Sequence, residues 1–407
     1  MLIEKFSFGV GDRFGREGKA QLRAIQEINR LGVPVVPVWN KSNREHDLTG
    51  TTQASVRQEA DEAVRVDKWT DSYFVDADHI NFGNIDKFLE YSDFFTIDIA
   101  NFIGKPADPK LKSDFLKRTA SIVIPGFSAE ISDFDLSGFA DQYLSAIHEV
   151  KKVFDYISGK KNSTFITEIS MDEVMTAQCP IDLFLILKEL KQLEIEPHTI
   201  APKFTGIFAK GIDYIGDIEL FTHEFEQDIR ILKTAQEQLS LSREIKLSVH
   251  SGSDKFSLYP IIRDLLNKHR AGVHVKTAGT TWLEEVIGLA RGGGEGLRIA
   301  KEIYIRGMAR FEDLAAPYLT VLHIDTDQLP PAKEVMTWSS ARLANTLIHE
   351  QSCRDYNPDF RQLIHISYKI AAEMGAEFTD ALAYYREPIE EQVYVNLLNR
   401  HLKRLFQ

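Results

Sequence analysis

Short β-like runs return at regular intervals along this chain, and helix-like stretches fill the gaps between them. The runs are Lys5–Phe8, Val33–Val38, Ser72–Asp76, Phe94–Ile99, Thr164–Ile169, His198–Phe204, Ile245–His250 and Gly272–Thr277. The stretches between them carry helical periodicity. GKAQLRAIQEINRLG sets Leu22, Ile25, Ile28 and Leu31 on one face and stops at Gly32, and CPIDLFLILKELKQLEI and PIIRDLLNKHR read the same way. A helix between two strands carries the chain back to the starting edge, so neighbouring strands run parallel. Eight such units have the size and rhythm of a (β/α)8 TIM-type barrel, with a doubly wound α/β sheet as the second choice.

We therefore expect residues 1–280 to form the barrel and residues 281–407 a mostly helical C-terminal region packed on it. Residues 101–160 are long for one connection, and SIVIPGFSAEISDFDLSG followed by FADQYLSAIHEVKKVFDYIS marks an insertion there. In the helical region LTVLHIDTD (319–327) reads as an accessory strand, or as the eighth barrel strand if Lys5–Phe8 is not one. The last helix, beginning near Pro388, gathers Ile389, Val393, Leu397, Leu402 and Leu405 on one face and should dock on the body.

Composition bounds the setting. No apolar run reaches the roughly 18 residues that a membrane span needs, and MLIEKFSFGVGDRFG meets charge too early for a signal peptide. Cys179 and Cys353 cannot build a disulfide framework, which fits a reducing cytoplasm. A formal net charge of −12 argues against nucleic-acid or membrane partners. A small anionic substrate stays open, because a few lysines in a pocket settle that locally. A homo-oligomer is equally compatible with the composition.

Barrel enzymes draw catalytic side chains from the C-terminal ends of their strands. Here those ends carry Asp76, Asp78 and His79 (YFVDADHIN), Asp98 (FFTIDIA), Glu168 (FITEIS), Lys203 (TIAPKF), His250 (KLSVHSGSDK), and His274 and Lys276 (GVHVKTAGTTW). Singly, each has an ordinary structural use: a satisfied core histidine, a capping carboxylate, a solvated lysine. Together they would be buried at one mouth, at several kcal/mol each if unpaired. A divalent metal with an anionic substrate would satisfy all of them. GVGDRFG puts Phe14 where a dinucleotide fingerprint needs its third glycine, which disfavours an NAD-dependent redox route. It reads instead as a loop at the mouth of strand one, with Arg13 as an anion contact. RGGGEG (291–296) lacks a P-loop ending and reads as a helix break, and His349 and His365 read as structural.

Taken in order, GVGDRFG, VDADHIN, VHSGSDKFS and HVKTAGTTW, with NPDFRQLIHISYKIAAEMG near the C-terminus, resemble the tagaturonate/fructuronate epimerase family. The resemblance covers most of the chain and implies a cytoplasmic isomerase of hexuronate catabolism, using a divalent metal to interconvert D-tagaturonate and D-fructuronate. More distantly, Asp78–His79 and His250 are similar to the Asp-His pair and late-strand histidine of class II metal-dependent ketose aldolases. That likeness implies Asp78 as a proton carrier and His79 and His250 as metal ligands. The aldolases' ligand on the intervening strand has no counterpart, since IAPKFTG offers Lys203. We take His274 as third ligand, with His323 and Glu168 as alternatives.

The two sugars differ at a hydroxyl-bearing carbon β to the ketone, whose C–H is not acidic, so retro-aldol cleavage and re-addition is the expected chemistry. Asp78 and Glu168 are then the acid/base pair, and Lys203, Lys276, Arg13 and Ser251 the substrate contacts. Histidine ligands leave zinc, manganese, iron and nickel undistinguished. An aldolase that releases its fragments and a sugar-acid-binding barrel without catalysis are the rival readings.

Overall fold

The computed structural model describes residues 3–127, 131, 132, 134–251, 253–277 and 279–407. Eight strands, β1 (Phe6–Gly9), β2 (Val35–Ser42), β3 (Phe74–Ile80), β4 (Phe94–Asp98), β5 (Ile166–Ser170), β6 (Thr199–Ala201), β7 (Lys246–His250) and β8 (Val273–Lys276), close into one barrel in chain order. Every pair is parallel, including β8 with β1, where Ser7 lies beside His274 and Gly9 beside Lys276. All eight expected strands are present, and the fold is the TIM-type barrel. β2 and β3 run four residues past their expected ends, which places Asp78 and His79 within β3.

Side chains alternate along each strand, and the alternation separates two environments. Val75, Ala77, Phe95, Ile97, Ile169, Val249 and Val275 join the apolar layer beneath the surrounding helices. The opposite parity points inward. At its lower end Val36, Val38, Phe74, Phe94 and Ile166 form an apolar plug. Above the plug the same parity turns polar: Asp76 and Asp78, Thr96 and Asp98, Glu168 and Ser170, Ser248 and His250, His274 and Lys276. The plug supplies the stability there, at about 1.5–3 kcal/mol per buried aliphatic or aromatic side chain. The upper half is committed to polar groups.

The expected insertion consists of helices Pro109–Thr119 and Leu136–Lys160 between β4 and β5. Asp108 caps the first by accepting from the Lys110 and Leu111 N–H groups. The part of SIVIPGFSAEISDFDLSG at 128–130 and 133 lies outside the described residues.

Beyond β8 the chain is helical. Helices Thr280–Gly292 and Gly294–Ala309 break at Gly293, whose φ is +69°, as RGGGEG led us to expect. The first of them lies so close to helix Arg386–Val395 that a Cβ on Gly288 would stand 2.6 Å from Ile389 Cα. A second core, with Trp282, Ile287, Ile303, Phe360 and Ile389, fills this region. The last helix crosses to the barrel, where Leu397, Leu402 and Leu405 join the first core. Between Asn396 and Leu402 it is a π-helix, so the five-residue step from Leu397 to Leu402 keeps both leucines buried.

LTVLHIDTD is a correction. Among the described residues no strand forms at 319–327, and only Thr326–Gln328 takes a short 3-10 turn. Its backbone groups are satisfied outside any sheet. The Lys210 N–H donates to the Val321 carbonyl, the Gln362 side chain pairs with both His323 N–H and C=O, and the Asp325 N–H donates to Asp359.

Candidate active site

The inward polar layer is organised by Lys276. Its ammonium reaches Asp76 Oδ2 at 2.6 Å, Asp78 Oδ1 at 2.9 Å and Glu168 Oε1 at 2.8 Å, and donates to Thr96 Oγ1 at 2.5 Å. The Thr96 hydroxyl lies 2.9 Å from Asp76 Oδ1 and 3.2 Å from Glu168 Oε1, and Thr199 donates to Glu168 Oε2 at 2.7 Å. Burial alone would lower Lys276, but Asp76, Asp78 and Glu168 outweigh it and raise the ammonium well above its usual range.

The three carboxyls divide. Burial, with Asp78 and Glu168 adding to it, pushes Asp76 up to about 7 despite Lys276. Asp78 also suffers burial, yet Lys276, then His79 and His250, hold it at about 2. Glu168 is likewise held well below its usual range by Lys276 and His250 against its burial. Two fixed anions and one carboxyl that titrates near neutrality thus surround one cation.

Above this layer stand two imidazoles, 5.2 Å apart between ring centroids. The regular alternation explains His250 on β7 but not His79. Adjacent residues of a strand face opposite ways, so Asp78 and His79 should not share the mouth. Two departures bring them together. The β3–β4 register shifts between Ala77 and Ile80, and His79 adopts φ +50°, a left-handed conformation that non-glycine residues enter at a cost. His79 then has Asp98 Oδ2 3.5 Å from Nδ1 and Asp78 Oδ1 3.9 Å from Nε2. His250 has Glu168 Oε1 2.9 Å from Nε2 and Asp172 Oδ1 3.1 Å from Nδ1. Burial would lower both imidazoles. Asp172 and Glu168 instead raise His250 to about 9, and Asp78 with Asp98 raises His79 well above its usual value.

Of the residues expected from sequence, Asp78, His79, Glu168, His250 and Lys276 meet at this mouth. His274 does not join the imidazoles. It lies a layer deeper, with Nδ1 2.9 Å from Ser7 Oγ and its ring 5.3 Å from Phe94, and burial drives it down to about 3. Of the two alternatives, His323 is exposed beside Gln362, whereas Glu168 is at the mouth with an oxygen 2.9 Å from His250 Nε2. Arg13 is buried against Glu45 at 3.0 Å, the His365 carbonyl at 3.0 Å and the face of Tyr368. Ser251 donates to the Lys276 carbonyl at 2.7 Å and so ties β7 to β8. Lys203 reaches a cleft of about 350 Å³ that also exposes Asp172 and His250.

Sequence reasoning missed Asp172 and Thr96. Asp172 continues the parity of Glu168 and Ser170 beyond the end of β5, and that two-residue step was the available signal. Thr96 had none, because threonine is an ordinary strand former.

His79, His250 and Asp172 offer ligand atoms that all lie within 4.8 Å of one another; His79, Asp98 and Glu173 form a second such group. The Nδ1 atoms of both histidines are buried without a hydrogen bond. Two nitrogens and a carboxylate oxygen, with Glu168 behind one imidazole, suit a divalent transition metal. The donor set fits.

Comparisons with known proteins agree over the full length. The tagaturonate epimerase family profile matches residues 1–407. The tagaturonate/fructuronate epimerase of Thermotoga maritima is 27% identical over 417 residues, covering 98% of this chain and 79% of its own. A one-glycerol crystal structure of the fructuronate-tagaturonate epimerase of Cohnella laeviribosi superposes with a TM-score of 0.79 at 25% identity, over 100% of this chain and 82% of that one. A two-glycerol structure of the same protein gives 0.79 at 26% identity, over 99% and 81%.

Proposed function

This chain belongs to the tagaturonate epimerase family and is thereby an isomerase acting on a carbohydrate; from that premise we propose that it interconverts D-tagaturonate and D-fructuronate in the cytoplasm, with a divalent metal and by retro-aldol chemistry. The observation that carries the reading is the mouth itself, where two imidazoles with unbonded buried nitrogens meet Asp172 beside a cleft lined by Lys203. No helix among the described residues is long and apolar enough to cross a membrane, and both cysteines are free, as a reducing compartment allows.

His79, His250 and Asp172 would hold the metal. Bound there, it supplies Lewis-acid stabilisation of negative charge developing on the ketone side of the substrate. The Nε2–H of His250 donates to Glu168, which leaves Nδ1 as the ligating atom. Glu168 is therefore a positioning residue rather than half of the acid/base pair, since its oxygens are engaged by Thr96, Thr199, Lys276 and His250. The pair is better formed by Asp78 and Asp98, which flank His79 on its two nitrogens.

Asp78, kept ionised by Lys276, accepts the β-hydroxyl proton. The O–H electrons become the new carbonyl, the adjacent carbon–carbon bond breaks, and its electrons remain on the ketone fragment as an enediolate. The aldehyde turns, the enediolate carbon attacks its other face, and a proton drawn from water reaches the new alkoxide by way of Asp98 on the far side of His79. Exchange with water resets the two carboxyls.

The test follows D-tagaturonate by NMR with metal-reconstituted enzyme in D2O, with and without chelator. D-fructuronate should form, stop on chelation, and carry no deuterium at the inverted carbon. Deuterium there would overturn the retro-aldol route, conversion that survives chelation would overturn metal dependence, and accumulation of a free three-carbon aldehyde would favour the aldolase.

A further inference from the structure

The cleft beside the imidazoles is also bounded by Arg44, Lys203 and Lys210. None of these three makes an ion pair among the described residues, whereas Lys276, the other cation at the mouth, is saturated by three carboxylates. The backbone of both lysines and the side chain of Arg44 are anchored. Arg44 lies in helix Asn43–Thr49, which starts in a capping box between Ser42 and Glu45, and its guanidinium sits 5.0 Å over the ring of Tyr318. Tyr318 is fixed in turn by its hydroxyl, 3.1 Å from that of Tyr368. The Lys203 N–H donates to Gln178 Oε1 at 2.8 Å, and the Lys210 N–H to the Val321 carbonyl at 2.8 Å.

We propose that Arg44, Lys203 and Lys210 form the subsite for the substrate carboxylate, and that the C-terminal region, through Tyr318 and Val321, builds it. Three cations gathered at one concave wall repel one another and lose hydration, a cost that an anion seated among them removes. Burial lowers Lys203 against the opposing pull of Asp172 and Glu173, and Lys210 adds to the lowering. The lining sets these three cations against two carboxylates, Asp172 and Glu173, and of these Asp172 belongs with His250 to the reacting end. A sugar acid therefore has one orientation, with its carboxylate held away from the reacting carbon and its ketone and hydroxyls toward the imidazoles. Lys276, which the sequence offered as a substrate contact, is saturated by its three carboxylates, and Arg44 and Lys210 take the carboxylate instead.

This assignment rests on the sugar-acid reading above, and the experiment separates the two. Arg44→Ala and Lys210→Ala are made singly and together in the full chain, with Arg44→Lys as the conservative variant, and kinetics are measured on D-tagaturonate and on neutral D-tagatose. Each alanine should raise KM for the acid about tenfold to a hundredfold with a smaller change in kcat, as loss of a charge-assisted contact made equally in ground and transition states does. The preference for acid over neutral sugar should fall by at least the same factor, and Arg44→Lys should recover part of it. KM and preference unchanged in the double variant would overturn the subsite. If the wild type does not convert tagaturonate, the reaction assignment fails by itself. The subsite is then judged by titrating D-glucuronate into wild type and double variant by calorimetry: weaker binding in the variant supports it, and equal binding overturns it.

Discussion

Lys276→Met is the sharpest perturbation available, because it keeps the shape of the side chain and removes one charge on which three depend. At separations of 2.6, 2.8 and 2.9 Å each ion pair is worth about 6 kcal/mol at an effective dielectric near 20, most of which offsets the desolvation of the groups. Removing one partner of such a buried set costs about 3–5 kcal/mol, since the carboxylates stay buried. The pH dependence is more diagnostic than the loss. In the wild type Asp78 is depressed to about 2, so it contributes stability that is present above its unfolded value and is lost as pH falls toward 2. Without the ammonium the folded carboxyls rise above their unfolded values, and the sign reverses. The variant should be most stable below the unfolded carboxyl range of about 4 and lose stability as pH rises toward neutrality. Urea unfolding at pH 5 and pH 8, followed by tryptophan fluorescence, reads both effects. Adding Asp76→Asn to Lys276→Met should restore about 1–2 kcal/mol at pH 8, because Asp76, already near 7 beside the ammonium, must otherwise take up a proton on folding. A Lys276→Met protein within about 0.5 kcal/mol of wild type at pH 8, with the same pH profile, would refute the electrostatic account of this layer.

Three further outcomes are expected. His250→Ala should keep the circular dichroism of the wild type but retain under about a tenth of its metal by elemental analysis, and Asp172→Asn should lower metal affinity at least about tenfold; unchanged metal content in both would remove the His79–His250–Asp172 assignment. His274, depressed to about 3, stays neutral in the fold while the unfolded chain binds its proton, so it makes stability rise with pH between about 3 and 6.5. His274→Asn should flatten that slope by up to about 1.4 kcal/mol per pH unit, and an unaltered slope between pH 4.5 and 6 contradicts the deep neutral placement. Asp254 accepts from Arg361 at 2.7 Å, His401 at 3.0 Å and His349 at 3.2 Å, so Asp254→Asn leaves the buried guanidinium with Glu284 at 3.6 Å as its carboxylate partner and should cost about 3 kcal/mol in calorimetry. A change under about 0.5 kcal/mol would show that the Asp254 charge is dispensable there.

The barrel was legible because two periods alternate along the chain, and neither depends on distant contacts. The strand-end residues were legible for the same reason: once β3, β5, β7 and β8 are placed, parity alone directs Asp78, Glu168, His250 and Lys276 inward. What parity cannot supply is the partner. Nothing local to Lys276 says that three carboxylates will saturate it, nor that Arg13 will be spent on Glu45, because those contacts join positions far apart in the chain. His274 shares its parity with Lys276 but not its depth, and a two-residue step of roughly 6–7 Å separates the plug from the mouth. LTVLHIDTD alternates like a strand because any extended segment with one covered side does; its hydrogen bonds go to Gln362 and Asp359, which the local pattern does not encode. The π-turn at Asn396–Leu402 was present as a five-residue spacing of leucines and was read as ordinary helix.

The left-handed backbone at His79 limits how this chemistry can be transplanted. Copied onto a regular strand of another eight-stranded barrel, the dipeptide Asp78–His79 would deliver its carboxylate to the mouth and its imidazole to the helix layer, among side chains such as Val75 and Ala77. A graft must bring the irregular step between Ala77 and Ile80 with it, together with neighbours able to hold φ +50° on a residue with a bulky ring. What is inherited as a pair of letters is, physically, a kink with two side chains attached, and a designer who transfers the letters alone transfers half a site.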